Sequence, residues 1–522
     1  MNTQVLIVGA GPTGLMLANQ LARRGVGVVI VDRHAGPAKE TRALGVQART
    51  LEIYRHLGVV DRALELGKRG TGANIWASGR RMARVPLGQA GRGRTPYPFI
   101  LVLGQDDNER LLGDRLREDG VEVRWSTELI ELRQEDDGVT AVLRGEGGAE
   151  ERLRADWVAG CDGAHSFIRE HCAVPFIGAP YEHVFYVADT VSTGDMVPDE
   201  VNVFLWKRGF HLFFPMRGDD HWRIVGILPA ALRDRDGLGL ADVVPSLEAE
   251  AGDSLDIRSC QWFSTYRIHH RCAARFRDGR CFLLGDAAHI HSPVGAQGMN
   301  TGLQDAYNLG WKLALVCAGR ARAALLDTYE EERLPVARRL LATTDRVFKF
   351  LVSDGWLAGL IRTQVMARLA AFAMRRERLQ AFAFRIVSQT GIHYRGTSLA
   401  RGSAGMPRGA PRAGERFPWA RLVLRPGAPA SDLYEVLDDR RFHLLLFGQG
   451  AEGAPDLGDL LQVHEVPDDP ANTAERARLR IPSPAFYLLR PDGHVGLCGR
   501  HLQAADLEAW LGQRLGLATA WA

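Results

Sequence analysis

Two glycine-rich segments that lie far apart in the chain carry residue types that bind phosphate and hydroxyl groups. The first is Gly-Ala-Gly-Pro-Thr-Gly at residues 9–14, and the second runs from residue 285 to residue 300. One such loop is typical of a nucleotide site, because glycines let the backbone approach phosphates closely. Two of them, so far apart, indicate one long dinucleotide that is held at both ends.

The first segment has the GxGxxG spacing between a predicted strand and a predicted helix. Gly9 allows a tight turn, Gly11 lets the backbone approach a pyrophosphate, and Gly14 lets the helix pack closely on the strand. The helix N-terminus offers free N–H groups and a positive dipole to phosphate. Asp32 ends the next strand, where a carboxylate is expected to bind a ribose diol. The alternative is a plain tight turn and a surface aspartate, which this context disfavours.

In the second segment, Asp286 follows a predicted strand, and residues 298–300 lie near the start of a helix predicted over residues 301–316. A carboxylate at a strand end can bind a hydroxyl of a polyol chain. A helix N-terminus beside it can stabilise negative charge on a bound ring. Taken alone, Asp286 could be an ordinary capping residue. Its occurrence together with the first segment favours a binding role.

The elements around these segments predict a dinucleotide-binding unit that is interrupted by a second sheet. Residues 5–31 show a strand, a helix and a strand, which predicts a parallel sheet with a right-handed crossover. Between residues 181 and 266, several strands joined by polar turns predict a separate sheet. The chain returns to the first unit with a strand at 281–284, and helical patterns dominate from 300 to about 389.

A segment rich in Gly, Pro and Arg at 401–416 is typical of a linker, and a small α/β unit follows it. The predicted fold class is therefore α/β. It combines a Rossmann-type dinucleotide-binding domain, an inserted mixed or antiparallel β-sheet substrate domain and a C-terminal α/β domain. The predicted boundaries are residues 1–180 and 267–395 for the first domain with its helical extension, 181–266 for the insertion and 400–522 for the C-terminal domain.

Composition excludes several classes of protein. The chain has 522 residues, of which 46% are hydrophobic and 24% charged, which is ordinary for a globular protein of several domains. A net charge of +3, without a dense Lys/Arg stretch, predicts no nucleic-acid partner. No apolar run reaches about 18 residues, so we expect no membrane span.

Cysteine and histidine usage predicts neither a disulfide framework nor a metal centre. The seven cysteines are widely spaced and form no CxxC pair, which is typical of reduced thiols in a cytoplasm. The apolar run at residues 5–8 lacks the basic leader of a signal peptide. We therefore expect a cytoplasmic protein. His289 and His291 have no third ligand at a diagnostic spacing, so we expect no metal.

Together, these motifs resemble those of the class A flavoprotein aromatic hydroxylases, the single-component FAD-dependent monooxygenases of the phenol and aromatic polyketide hydroxylase type. The resemblance spans roughly residues 3–350. It depends on residues 9–14, on the segments 42–45 and 161–166, and on residues 285–300 with their helical continuation. It implies FAD as the cofactor, with NADPH or NADH as the co-substrate.

The resemblance also implies roles for individual residues. Asp32 would hold the adenosine ribose, where many relatives use Glu, and Leu129 would contact adenine through its backbone. Asp162 and Gly163 would belong to a motif that handles both FAD and NAD(P)H. The implied cofactor-binding residues are Gly9, Gly11, Gly14, Asp32, Arg33, Arg42, Gln105, Leu129, Asp162, Gly163, Asp286, Pro293, Gly295, Gly298, Met299 and Asn300.

The implied reaction is the hydroxylation of a phenolic or polycyclic aromatic substrate with NAD(P)H and O2, through a flavin C4a-hydroperoxide. A Baeyer–Villiger or epoxidising monooxygenase on the same fold is an alternative. Two others are a flavin-binding protein that sequesters an aromatic intermediate without efficient hydroxylation, and a flavin oxidoreductase that inserts no oxygen.

No catalytic residue stands out, but five residues are candidates for facing the substrate. A polar residue at the position of Gln47 faces the substrate in several phenol-hydroxylating relatives, and a glutamine hydrogen-bonds without acting as a base near neutral pH. Aromatic rings of the inserted sheet suit a planar ligand, with core packing as the alternative for each. The candidates are Gln47, Trp206, His211, Phe213 and Trp222.

The C-terminal domain resembles the thioredoxin-like extension of phenol and polyketide hydroxylases. Its single cysteine is Cys498, so we expect packing or assembly from this domain and no dithiol redox role. An exposed apolar face on the helices between residues 350 and 390 could support a homodimer.

Overall fold

The computed structural model describes residues 2–516 apart from 39–42, 207–208, 252–254, 292–296, 353–358, 360, 362–367, 369–371, 373, 403–404 and 453. Its strands are β1 (Asn2–Val8), β2 (Val28–Val31), β3 (Gly45–Val46), β4 (Lys68–Gly70), β5 (Ala73–Ala77), β6 (Arg80–Val85), β7 (Ile100–Val102), β8 (Val123–Arg124), β9 (Glu128–Glu135), β10 (Gly138–Arg144), β11 (Glu150–Gly160), β12 (Phe176–Thr193), β13 (Val201–Trp206), β14 (Gly209–Pro215), β15 (His221–Ile227), β16 (Asp256–Ala273), β17 (Arg277–Asp278), β18 (Cys281–Leu283), β19 (His289–Ile290), β20 (Arg401–Gly402), β21 (Arg421–Leu422), β22 (Ser431–Asp432), β23 (Phe442–Phe447), β24 (Leu461–Val466), β25 (Ala485–Leu489) and β26 (Val495–Gly499).

Its α-helices are α1 (Pro12–Ala22), α2 (Ala48–Leu57), α3 (Val60–Leu66), α4 (Leu87–Ala90), α5 (Gln105–Glu118), α6 (Phe167–His171), α7 (Leu240–Ala251), α8 (Gly298–Cys317), α9 (Asp327–Val352), α10 (Glu377–Val387), α11 (Leu433–Val436), α12 (Pro470–Leu479) and α13 (Ala504–Ala509).

The N-terminal strand, helix and strand form as the sequence predicts. β1 pairs in parallel with β2 and with β11, and β2 pairs in parallel with β8. The order across this sheet is β17-β18-β11-β1-β2-β8, and β10 and β9 extend from β11 as antiparallel neighbours. Val8 lies opposite both Val31 and Gly160 in the register. The carboxyl ends of three strands therefore meet at one edge, where doubly wound folds bind their ligands.

The second sheet is larger than the predicted insertion. Its order is β19-β16-β12-β15-β14-β13-β5-β6. β12 begins at Phe176 and β16 ends at Ala273, β5 and β6 come from residues 73–85, and β19 belongs to the second glycine-rich segment. Pairings between strands this far apart leave no local signal in the sequence, because hydrophobic alternation reports burial and not the identity of the partner strand.

The two faces of this sheet pack against different parts of the molecule. One face carries Phe185, Phe210 and Phe214 and meets Leu44 and Phe348 of the dinucleotide-binding part. The other face carries the set Tyr186, Phe204, Phe213, Trp222 and Ile224, and it is covered by α7. We call the first the inner face and the second the outer face. Because successive side chains of a strand alternate, neighbouring residues belong to opposite faces.

The C-terminal part is built on a mixed sheet in the order β20-β26-β25-β23-β24. β23 pairs in parallel with β24 and antiparallel with β25. One side of this sheet packs through Leu444 and Leu446 against Trp311 of α8. The other side has its own core around Leu445 and Phe447. The C-terminal part therefore packs directly on the long helix that follows the second glycine-rich segment.

Among the described residues, no helix combines the length and the apolar character that are needed to cross a membrane. The same residues contain no cluster of three or more His, Cys, Asp or Glu side chains that could hold a metal ion. All seven cysteines are free thiols.

Candidate cofactor and substrate site

The three glycines of the first segment have different surroundings. Gly9 has a φ of +102°, and a Cβ built on it would lie 2.3 Å from the carbonyl oxygen of Cys161. A Cβ on Gly14 would lie 1.9 Å from the carbonyl oxygen of Gly9. A Cβ on Gly11 would meet no described atom within 4 Å. Gly9 and Gly14 therefore close the turn against the protein, whereas Gly11 faces open space at the N-terminus of α1, where a phosphate can approach.

Thr13 joins the two glycine-rich segments. A Cβ on Gly285 would lie 2.6 Å from Thr13 Oγ1, and one on Gly302 would lie 2.3 Å from the same oxygen. A Cβ on Gly302 would also lie 3.1 Å from the Cα of Gly285. The two segments are thus in contact through positions that admit no side chain. The contact places the two segments side by side.

Asp32 lies at the end of β2 with its carboxylate beside the first loop. Its Oδ2 accepts the backbone N–H of Ala10 at 2.7 Å, and its Oδ1 accepts the backbone N–H of His34 at 2.9 Å. The backbone of Thr127 bonds to the carbonyl of Asp32 at 2.9 Å, which brings the start of β9 to this place. Leu129 is buried two residues further on, and Arg33 is exposed.

Of the two residues predicted for the pyrophosphate region, Gln105 and Arg42, only Gln105 is described. Gln105 begins α5, and its Nε2 donates to Glu109 at 2.9 Å. The other oxygen of Glu109 accepts the backbone N–H of Ala38 at 2.8 Å. Burial raises the pKa of Glu109, although the bonds from Gln105 and Ala38 oppose this. Arg42 lies outside the described residues.

Asp162 and Gly163 follow the end of β11, directly beside Gly9. Asp162 Oδ2 accepts the backbone N–H of Ile168 at 3.2 Å and so supports the start of α6. Burial raises the pKa of Asp162, although Ser166 and the Ile168 N–H oppose it. Gly163 has a φ of +77°, and a Cβ there would meet no described atom within 4 Å. This glycine, like Gly11, borders open space.

The second segment places its residues in three different settings. Asp286 is exposed in a short 3-10 turn, and Met299 is half-buried in the first turn of α8 beside Gly298. Asn300 is fully buried: its Oδ1 accepts the backbone N–H of Gln47 at 2.8 Å, and its Nδ2 donates to the carbonyl of Gly45 at 2.6 Å. The Asn300 side chain therefore ties residues 45–47 to α8. Pro293 and Gly295 lie outside the described residues.

Gln47 lies in the same place as Asn300, at the N-terminus of α2. It is fully buried and is the N-cap residue of that helix. The structure therefore brings the N-termini of α2 and α8 together, which the sequence did not indicate.

The four aromatic candidates of the second sheet lie on its outer face. Phe213 and Trp222 pack in the cluster that α7 covers. His211 Nδ1 lies 2.9 Å from the hydroxyl oxygen of Tyr186, and its ring stacks on Trp206 at 5.8 Å between centroids. The expectation that these four residues form the wall facing the cofactor is therefore not met. The physical reason is strand alternation, since a pattern of aromatic residues does not reveal which face of a sheet points inward.

Other residues occupy the inner face. Leu205, Leu212, Trp262 and Tyr266 are partly buried hydrophobic residues there. Beside them, Arg223 forms an ion pair with Asp189, and its guanidinium lies 5.5 Å from the centre of the Trp262 ring. The side chain of Arg223 is 3% exposed and that of Asp189 is 21% exposed. The residues of the inner face could not be identified from the sequence, because apolar residues in a strand are also typical of the protein core.

The sequence also did not predict a network of buried ion pairs next to the second glycine-rich segment. Asp305 and Arg333 form an ion pair at 2.7 Å, and Lys312 and Glu332 form another at 2.7 Å. All four side chains are fully buried. The signal available in the sequence was a pair of charged residues, at 305 and 312, within the otherwise apolar pattern of α8, since buried charges require partners.

The geometry defines a dinucleotide-binding α/β protein with an apolar sheet face beside the site. A family model described as FAD binding domain matches residues 2–344. The chain is 35% identical to 6-methylpretetramide 4-monooxygenase from Streptomyces rimosus, over 97% of this chain and 93% of that protein. It is 32% identical to a rifampicin monooxygenase from Streptomyces venezuelae, over 97% of this chain and 98% of the relative.

Among solved structures, the chain is similar to an anhydrotetracycline hydroxylase from Streptomyces rimosus. The TM-score is 0.78 at 28% identity, over 99% of each chain. The chain therefore belongs to the FAD-binding family of flavin-dependent monooxygenases, which confirms the resemblance seen in the sequence. It is an FAD-dependent monooxygenase, and NAD(P)H is the co-substrate typical of this family.

Proposed function

We propose that this monooxygenase hydroxylates a polycyclic aromatic substrate of the polyketide type, bound between the second glycine-rich segment and the inner face of the second sheet. The main support for the proposal is the contact of the two glycine-rich segments at Thr13. In addition, the inner face of the second sheet places apolar, partly buried residues toward the dinucleotide-binding part. Two of the similar proteins named above are, by their names, a monooxygenase of 6-methylpretetramide and a hydroxylase of anhydrotetracycline.

The residues around the two glycine-rich segments fit FAD. Gly11 and Gly163 border open space, which backbone approach to a pyrophosphate requires. Asp32 would hold the adenosine ribose, Gln105 the pyrophosphate region and Asp286 the ribityl chain. The N-terminus of α8 at Gly298 would face the ring and favour negative charge on it. Bound FAD, once reduced by NAD(P)H, supplies the activation of O2.

The protein's own task is then to bind the substrate and to exclude water. Leu205, Leu212 and Tyr266 offer an apolar surface to a planar ring system. The ion pair of Asp189 and Arg223 adds a polar group to the same face and suits an oxygen substituent of the substrate. Because Gln47 is fully buried at the start of α2, we assign it no contact with the substrate.

The C-terminal part supports the proposed domain layout. We assign residues 400–522 to a thioredoxin-like domain because its central strands β23 and β25 are buried on both sides of a mixed sheet. Cys498 is buried and has no second cysteine in the domain, so its role is packing. For the rest of the chain we propose a dinucleotide-binding domain over 1–180 and 267–395 and an insertion at 181–266, whose sheet extends to Phe176 and Ala273 and also includes β5, β6 and β19.

We also propose a homodimer and a cytoplasmic location. On α10, the exposed residues Leu379, Phe382 and Ile386 lie at helical spacing and form an apolar stripe that a second copy could cover. The free state of all seven cysteines suits a reducing compartment. A Phe382→Glu variant that sediments like the wild-type protein would argue against the dimer through this stripe.

The reaction is tested on the purified yellow protein with a panel of phenols and polycyclic aromatic compounds. NADH and NADPH oxidation, oxygenated product and hydrogen peroxide are measured together. We expect substrate-stimulated oxidation with a hydroxylated product. Product with an oxygen inserted into a ring bond would indicate Baeyer–Villiger chemistry, and an epoxide would indicate the epoxidising alternative. Flavin reduction without any oxygenated product would refute the proposal.

The assignment of Asp286 is tested separately. Asp286→Ala removes a carboxylate that is exposed at the turn, so the fold should not change. We expect weaker FAD retention on dialysis. Full flavin occupancy in the variant would contradict the assigned role.

A further inference from the structure

Asp305 of α8 holds both ends of the turn that contains Asp286. Its Oδ2 accepts the backbone N–H of Gly285 at 3.1 Å and lies 2.7 Å from Nε2 of His289, which donates to it. The carboxylate is fully buried. One oxygen atom therefore fixes the residue before Asp286 and a residue three positions after it.

The turn depends on this support because its backbone is constrained. Gly285 has a φ of +58°, in the left-handed region, and a Cβ there would lie 2.6 Å from Thr13 Oγ1. The polar atoms that meet at Oδ2 are buried, so no water can replace the carboxylate without a change in the packing. The position of the exposed Asp286 side chain is thus set from behind by Asp305.

The other oxygen of Asp305 connects the turn to the helices and to the C-terminal domain. Arg333 of α9 donates from Nε to Oδ1 at 2.7 Å, from Nη2 to the carbonyl of Thr301 at 3.1 Å and from Nη1 to the hydroxyl oxygen of Tyr394 at 3.1 Å. The ring of Tyr394 lies 4.4 Å from that of His494 in the C-terminal domain. Burial would raise the pKa of Asp305, but Arg333 and His289 hold it below its ordinary value.

We propose that Asp305 is a positioning residue for the flavin: its charged carboxylate sets the turn at residues 285–289 and links that turn, through Arg333, to the C-terminal domain. The proposal rests on the proposed role of Asp286 at the ribityl chain. It extends that role to Asp305 and Arg333, whose fully buried side chains lie outside the glycine-rich segments.

Asp305→Asn is the test, because asparagine keeps the shape but replaces one accepting oxygen with a donor. We expect the Kd for FAD to rise roughly 10- to 100-fold. We also expect a shift of the visible absorption band of the bound flavin. Both are measured by titrating the apoprotein with FAD, without substrate. A larger share of NAD(P)H oxidation should end in peroxide.

Glu332→Gln is the matched control. Glu332 is also a fully buried carboxylate and is the neighbour of Arg333 on α9. Its bonding partners among the described residues are Lys312, Asn308 and Arg490 of the C-terminal domain, none of which belongs to the turn. We expect this variant to lose stability while its FAD Kd and flavin spectrum stay as in the wild-type protein. An equal loss of FAD affinity in both variants would overturn the proposal, because general loosening would then explain the result.

Two further outcomes are decisive. Wild-type FAD affinity and an unchanged flavin spectrum in Asp305→Asn would overturn the proposal. If that variant does not fold, His289→Asn, which keeps the pair of Asp305 with Arg333, replaces it: weaker FAD binding supports the proposal and unchanged binding overturns it. Since these titrations need no substrate, a wild-type protein that yields no oxygenated product would refute the proposed function and leave this test intact.

Discussion

Leu212 and Phe213 are neighbours on β14 whose side chains lie on opposite faces of the second sheet. Replacing each with alanine therefore tests the roles assigned to the two faces. Leu212 lies on the inner face and is partly buried. Phe213 lies on the outer face, is fully buried and contacts Phe204 at 5.1 Å between ring centroids. We expect Phe213→Ala to lower stability and Leu212→Ala to impair catalysis.

The magnitude for Phe213 follows from its burial. A phenylalanine removed from a packed core costs about 3–5 kcal/mol of unfolding free energy, because a cavity remains. That is a large part of the roughly 5–15 kcal/mol that holds a domain folded. Its ring points toward α7 and away from the proposed substrate, so kcat/KM should stay within about threefold of the wild-type value.

The magnitude for Leu212 is worked from the carbon atoms that the substrate would cover. Leu→Ala removes three of them, and each contributes about 0.8 kcal/mol when buried. The loss is about 2 kcal/mol in transition-state binding, or roughly 30-fold in kcat/KM. Since Leu212 is only partly buried before the substrate binds, the cost in unfolding free energy should be about 1 kcal/mol.

Both variants are measured by denaturant unfolding of the holoprotein and by steady-state turnover with the best substrate of the panel. The assignment of the two sheet faces is refuted if Phe213→Ala lowers kcat/KM more than Leu212→Ala does. It is also refuted if Leu212→Ala keeps wild-type kinetics, because the inner face would then not contact the substrate.

Two further predictions concern the flavin contact and the pH dependence. A Cβ at Gly302 would lie 2.3 Å from Thr13 Oγ1, so Gly302→Ala should cost about 1–3 kcal/mol of unfolding free energy and weaken FAD retention; full retention after dialysis would contradict this. His443 and His464 bond to each other at 3.0 Å, and burial lowers the pKa of each to about 4. Each pKa lies below the unfolded value of about 6.5, so the unfolded chain takes up protons first and stability falls as the pH drops from about 6.5 to about 4, by at most about 3 kcal/mol per ring. Unfolding measured across this range in the His464→Gln variant should show a shallower slope; an unchanged slope would exclude this pair as the cause.

The dinucleotide-binding part was the most predictable, because its signals are local. The strand, helix and strand at residues 2–31 formed as the sequence indicates, and Gly9 and Gly14 occupy positions where a Cβ would collide with backbone. The second sheet was predictable as a set of strands but not in its extent. β5 pairs with β13, which lies more than a hundred residues later in the chain, and β6 pairs with β5. The residues at 73–85 contain no pattern that identifies β13 as the partner strand.

In the candidate site, too, the features with local signals could be predicted and those that depend on long-range contacts could not. Asp286 and the glycines could be proposed from residue type and spacing, because phosphate and hydroxyl binding requires such residues at particular points of a turn. The inner face could not, because Leu212 and Phe213 look alike in a strand pattern and only packing against Leu44 and α7 distinguishes them. In the sequence, Asp305 is likewise only one charged residue in a predicted helix. Its role depends on contacts with Arg333 and His289, which form only in the folded protein.

By itself, the sequence determined the cofactor class and the two glycine-rich loops that we propose to hold it, since backbone conformation at glycines is a short-range property. Tertiary structure decided which sheet face packs toward the dinucleotide-binding part and which buried charges hold the turn at residues 285–289. Those features depend on contacts between residues that are distant in the chain, and burial and charge pairing exist only after the chain has folded.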